Sequence, residues 1–128
     1  NAAEAFLRGM YDDASPDEMA DLTAADLAAL AHDFWIWRGE RPCEDQCTRV
    51  RRGVGAGGRE LDRDILEVAG PDMPFLVDSV MGEIADQGIS PVAMFHPLAP
   101  ASNGKGRDSL IQVHLPRLSV QRAKALHD

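Results

Sequence analysis

Several groups of residues in this sequence have the types and spacing to do chemistry. Cys43 and Cys47, separated by three residues, could at best supply half of a zinc site. No second half with matching spacing follows, so they are expected to be reduced thiols and not zinc ligands. His96 and His114 fall on predicted strands joined by a hairpin, where they could approach each other across the ladder. A metal needs more ligands than these two supply, and none is expected. Ser79 lacks the glycine elbow and the placed His/Asp partners of a nucleophile, and it reads as an ordinary helix residue. Gly55-Ala56-Gly57-Gly58 has neither the strand-to-helix setting nor the following Lys-Ser/Thr of a phosphate cradle, so it is predicted to be a loop tip. Arg49, Arg51, Arg52, Arg59 and Arg63 form a basic cluster that could hold an anion. With acidic residues interleaved, it reads instead as a solvated strand face. Asp72, just before a proline-initiated helix, could meet a ligand amine or cap the turn, and capping is the expected role. No catalytic residue emerges.

The elements that would position these residues fall into two regions. Residues 1–46 read as helical. Phe6, Leu7, Met10 and Tyr11 share a face, and Ser15-Pro16-Asp17-Glu18 is a helix start with a capping box. Thr23 with Asp26 forms a second, shorter box. Leu27, Leu30, Ala31 and Phe34 then make an apolar stripe that Trp35 and Trp37 extend as packing anchors, until Gly39 and Pro42 end the helix. From Cys47 the period changes to two. Strands are predicted over 47–54 and 63–69, a helix over 75–87 closed by Gly88, strands over 89–98 and 109–115, and a last helix from Ser119 that the chain end cuts short.

Strand, helix, strand, strand, helix is the split βαβ order of a ferredoxin-like fold lacking its fourth strand. Residues 47–54, arriving by a tight hairpin, are predicted to fill that edge antiparallel to 63–69. The expected fold is therefore α+β: a four-stranded antiparallel ferredoxin-like sheet with helices on one face, over 47–128, preceded by the helical segment 1–46. Leu66, Val68, Val77, Val80, Met81, Ile84, Ile111 and Val113 should share one core. Both parities of 91–98 are apolar, so something must cover the second face, with the N-terminal helical segment or a second copy of the sheet as candidates.

Charge and composition narrow the function. The net charge is −8, and residues 1–46 carry eleven Asp/Glu against three Lys/Arg. Such a segment repels phosphate backbones, which argues against nucleic acid as a partner. No apolar run approaches the ~20 residues of a membrane helix, so no membrane association is expected, and the cysteine usage suggests the cytoplasm. Both ends of the chain read as cuts from a larger protein.

The stretch Asp72-Met73-Pro74-Phe75-Leu76-Val77-Asp78-Ser79-Val80-Met81, continuing through Gly88-Ile89 to Phe95-His96-Pro97, resembles the ACT-domain pattern. More narrowly, it is similar to the N-terminal region of the large bacterial NAD-dependent glutamate dehydrogenases. The resemblance implies a non-catalytic regulatory or assembly domain within a parent that converts L-glutamate to 2-oxoglutarate and ammonia with NAD. That cofactor would bind downstream and none would bind here. The implied partners are other domains of the parent and further copies of it. The alternatives are an amino-acid-sensing ACT module of another metabolic enzyme, or an independent small enzyme on the same sheet.

ACT domains often capture amino acids at the Asp-x-Pro loop, so the resemblance points to Asp72, Met73, Pro74 and Phe75 as ligand-binding residues. Glycine commonly follows the proline, whereas here Phe75 does. A bulky ring there is expected to close the loop amides, to pack against the protein's own core or a partner domain, and to leave amino-acid binding weak or absent.

Overall fold

The computed structural model describes residues 9–11, 22–40, 47–71, 75–100 and 107–118. Helix α1 spans Ala24–Glu40, β1 Cys47–Val54, β2 Glu60–Pro71, α2 Leu76–Asp86, β3 Ala93–Phe95, β4 Leu98–Pro100 and β5 Arg107–Leu115. The sheet runs β1-β2-β5-β3, with β4 also on β5, and every pairing is antiparallel. β1 occupies the edge beside β2 as expected, with Val50 opposite Leu66 and Arg52 opposite Asp64. The fold is the four-position antiparallel sheet of an ACT-like α+β domain.

The predicted strand 89–98 is two pieces, both paired with β5. Phe95 faces Gln112 and Leu98 faces Ser109, so the register is unchanged across the gap. The break falls at His96-Pro97. Proline has no N–H to give the ladder, although its carbonyl still accepts from Leu110 N at 3.1 Å. β2 runs longer than its predicted span, from Glu60 to Pro71.

Local chemistry explains both helices. In α1, Thr23 N donates to Asp26 Oδ2 at 3.0 Å while Asp26 N donates to Thr23 Oγ1 at 3.1 Å, a reciprocal capping box. α2 ends in a Schellman turn: Gly88 takes φ 73, Gly88 N donates to Ala85 O at 2.9 Å and Ile89 N to Ile84 O at 3.2 Å. Ile84 and Ile89 are both buried, which supplies the apolar contact that accompanies the motif.

One helix lies on each face of the sheet. Under α2, Leu66, Val68, Ile111, Val113 and Leu115 pack with Ile84 and Ile89, and Val77, Val80 and Met81 lie half-buried against them. Five of the eight residues expected to be buried together are buried there, and the other three, Val77, Val80 and Met81, are only partly buried. The opposite face is covered by α1 and residues 10–11. Met10, Ala31 and Phe34 pack on Ala69, Ala93, Phe95 and Leu110, while Leu30 packs on Leu61 and Ile65. The N-terminal segment therefore covers the second face, and Trp35 and Trp37 pack at its border. α2 lies on the face expected for the helices of the ferredoxin-like unit, and α1 belongs to the N-terminal segment that was the candidate cover for the other. Helix starts predicted at Ser15 and Ser119 lie outside the described residues. Among the described residues, no helix is long and apolar enough to cross a membrane.

Candidate functional site

Of the four residues expected at a ligand loop, Asp72, Met73 and Pro74 lie outside the described residues, and only Phe75 is placed. It precedes α2 in the left-handed region, with φ 64 and ψ 13, and is the one described non-glycine residue with positive φ. A bulky residue there is a steric outlier, whereas glycine occupies the region freely. Its side chain is 77 % exposed. The expectation that the ring packs on the protein's own core is therefore wrong. The ring stands outside the apolar cluster beneath α2. Its carbonyl still accepts the Ser79 amide at 2.9 Å, starting the helix, and Ser79 itself is exposed.

A second constellation lies beneath α1, on the second face of the sheet. Glu67, Gln112 and His114 are fully buried. They alternate with apolar residues on the face of β2 and β5 that α1 covers. Arg49 and Arg51 each place Nε–H on Glu67 Oε1, at 2.7 and 2.9 Å, and Arg51 Nη2 reaches Glu67 Oε2 at 3.1 Å. Gln112 Nε2 donates to the same Oε2 at 2.7 Å. Gln112 Oε1 accepts from the Tyr11 hydroxyl and from His114 Nε2, the latter at 2.8 Å. Arg63 Nη1 lies 2.9 Å from His114 Nδ1. An arginine can only donate, so His114 Nδ1 accepts and the ring carries its proton on Nε2, towards Gln112. The network thus has one consistent set of donors and acceptors, running from Arg63 through His114 and Gln112 to Glu67.

Burial, reinforced by the charge of Glu67, pushes the Tyr11 phenol far above its ordinary range and keeps its hydroxyl a donor. Burial works against the Arg51 charge, but its hydrogen bonds to Glu67 and the charges of Glu67 and Asp33 outweigh it, so its pKa is raised. Phe95 packs edge-on against Tyr11 at 4.7 Å and against His114 at 5.3 Å, sealing the network from one side. Each polar residue of the network has at least one hydrogen-bond partner among the described residues.

The remaining candidates are resolved in the same terms. The basic cluster is paired as expected: Arg49 and Arg51 with Asp33 and Glu67, Arg52 with Asp64 and Glu60, and Arg59 with Asp26. It is not a solvated face, because α1 lies over Arg49, Arg51 and Arg63 and buries much of each. The Gly55–Gly58 turn holds an anion after all, but an internal one. Ala56 N donates to Asp26 Oδ1 at 3.0 Å. Residue 55 must be glycine, since a Cβ there would lie 2.3 Å from that oxygen. Hydrogen bonds from the Thr23 and Ala56 backbone, with Arg59 nearby, hold the Asp26 carboxyl below its usual value.

His96 and His114 do not converge. His96 Nε2 bonds Ser109 Oγ, while His114 is buried under α1. Among the described residues, no group of three or more His, Cys, Asp or Glu is placed to hold a metal ion. Cys47 is disulfide-bonded, which corrects its reading as a reduced thiol. The other cysteine of the chain, Cys43, lies outside the described residues.

Residues 6–108, most of the chain, match the family model described as Glutamate dehydrogenase, ACT1 domain. No curated protein and no solved structure matches.

Proposed function

The chain belongs to the glutamate dehydrogenase ACT1-domain family, and on that premise we propose that it is a non-catalytic regulatory and assembly domain of a large NAD-dependent glutamate dehydrogenase. The parent would oxidise L-glutamate to 2-oxoglutarate and ammonia in the cytoplasm, with NAD bound in another domain and as a homo-oligomer. In this reading the ACT1 domain contributes a docking surface and no reacting group. The observation that carries it is Phe75, an exposed aromatic ring on a strained left-handed backbone at the loop where ACT domains commonly have glycine. Strain of this kind costs on the order of 1–3 kcal/mol and persists where function requires it. An aromatic side chain offers much apolar area for a partner to bury.

The test is to mix the purified chain with the remainder of its parent and follow association by calorimetry. A saturable complex that Phe75→Ser weakens is the expected result. No complex, together with amino-acid binding that Asp72→Ala abolishes, would replace docking with amino-acid sensing at the loop. Glutamate-dependent reduction of NAD by the chain alone would overturn the non-catalytic reading, and none is expected.

A further inference from the structure

Carboxylates are partnered differently on the two sides of the sheet. On the α1 side, Asp26, Asp33 and Glu67 are each met by an arginine. On α2, Asp78, Glu83 and Asp86 are exposed, and none of them is in an ion pair among the described residues. No Lys or Arg occurs from residue 64 to residue 104. The segment that carries α2 and β3 therefore has no Lys or Arg of its own to offer them.

Two features of α2 work against the helix itself. Glu83 and Asp86 lie towards its C-terminal end, where the helix dipole disfavours negative charge, and its last turn has no basic residue. Gly82 stands at an exposed interior position, where glycine is a poor helix former. A Cβ there would meet nothing within 4 Å, so nothing in this fold requires the residue to be small. A partner lying close along the helix would require it.

Apolar surface adjoins these charges. Phe75 precedes the helix with its ring exposed, and Leu76, Val77, Val80 and Met81 are only partly covered. Ala93 and Phe95 turn towards α1, so the alternation of β3 puts Met94 on the α2 side. Met94 pairs with Val113, which packs beneath α2, and Met94 and Val92 are both exposed. β3 is an outermost strand of the sheet.

We infer that Phe75, the outer side of α2 and Met94 dock a cationic amphipathic segment of another domain of the parent, one carrying Lys or Arg beside apolar side chains. This rests on the docking reading and supplies the chemistry of the partner. A second copy laid on this face would bring like charges together, and nucleic acid or an anionic lipid surface would be repelled in the same way. Burial of the apolar side chains gives the contact its affinity, while the carboxylates select the partner's sign and speed its approach.

Gly82 offers the test, because long side chains of either charge can be introduced there without crowding the fold. Gly82→Lys should raise the thermal midpoint. Gly82→Glu should leave it about unchanged, since its charge repels Asp78 and Asp86 one turn away. Each variant is mixed with the remainder of the parent, and association is followed by calorimetry at low salt and at about 1 M salt. At low salt Gly82→Lys should bind at least about tenfold more weakly than Gly82→Glu. The gap should close at high salt, where exposed charges are screened. In the wild-type complex, residues 76–86 and 92–94 should gain protection from hydrogen exchange. Equal affinities of the two variants, in a complex that Phe75→Ser weakens, would overturn the cationic partner and leave docking standing. Weaker binding by Gly82→Glu would reverse the partner's sign and overturn the inference as well. Absence of any complex would overturn both readings. Self-association of the chain alone, with protection at the same residues, would make a second copy the occupant in place of the cationic segment.

Discussion

The two faces of the sheet are each covered by one helix, but they are held by different physics. The α2 face is built round an apolar cluster, with Leu66, Val68, Ile111 and Val113 packed on Ile84. The α1 face has two apolar patches, one around Phe34 and Phe95 and one around Leu30 and Ile65, with the Glu67–Gln112–His114 network between them. Apolar contacts are non-directional and tolerate small slides. A buried hydrogen-bond network accepts only the register in which each donor meets its acceptor, and it penalises every other one. The α2 layer therefore supplies stability, and the α1 layer ties the N-terminal segment to a single position on the sheet.

The comparison breaks most directly at Glu67. Removing its carboxylate by Glu67→Ala strands the guanidiniums of Arg49 and Arg51 and the amide of Gln112. A loss of about 3–5 kcal/mol is expected in denaturant unfolding. A loss below about 1 kcal/mol would mean that the α1 face behaves as ordinary surface. On the other face, Ile84→Ala should cost about 2–4 kcal/mol and half-buried Val80→Ala about 1 kcal/mol. Equal effects at the two positions would show that α2 is rotated from the orientation described.

Smaller effects sharpen the account. Phe75→Gly relieves a left-handed backbone at the cost of some chain entropy, so the isolated chain should gain about 0.5–1 kcal/mol. A clear loss in thermal unfolding would mean that the ring is packed. Asp26 ties α1 to the β1–β2 turn, and its carboxyl is held below the ordinary value. Such a group stabilises the fold at pH values above the unfolded carboxylate pKa of about 3.9, and that contribution fades as pH falls towards the folded value. The advantage of the wild type over Asp26→Asn should be flat from about pH 7 to 5 and shrink below about pH 4. An advantage that persists at pH 2 would remove the carboxylate from the account.

Much of this was legible in the residues. Period-two runs, the glycine-rich hairpin and the Thr23–Asp26 box led to the strands, the edge position of β1 and the start of α1. The apolar character of both parities in 91–98 led to a covered second face. The buried network was not legible, because Glu67, Gln112 and His114 sit at alternating polar positions that look like a solvent face. Their signal was the mismatch between that polarity and the apolar parity of the neighbouring strand. The basic run Arg49–Arg52 reads as a solvated face until α1 is laid over it. Phe75 was flagged by its place in a loop pattern, but its outward direction depends on a backbone dihedral that composition does not encode.

The central claim, that the domain acts by docking and not by chemistry, is tested most directly in the whole parent enzyme. Sedimentation velocity of the Phe75→Gly enzyme, read beside its turnover of glutamate, separates the two. The account predicts weakened assembly or altered domain association, with the isolated domain as stable as before or more so. Unchanged assembly, accompanied by new amino-acid binding at residues 75–80, would contradict it and make the ring no more than a plug in a ligand site.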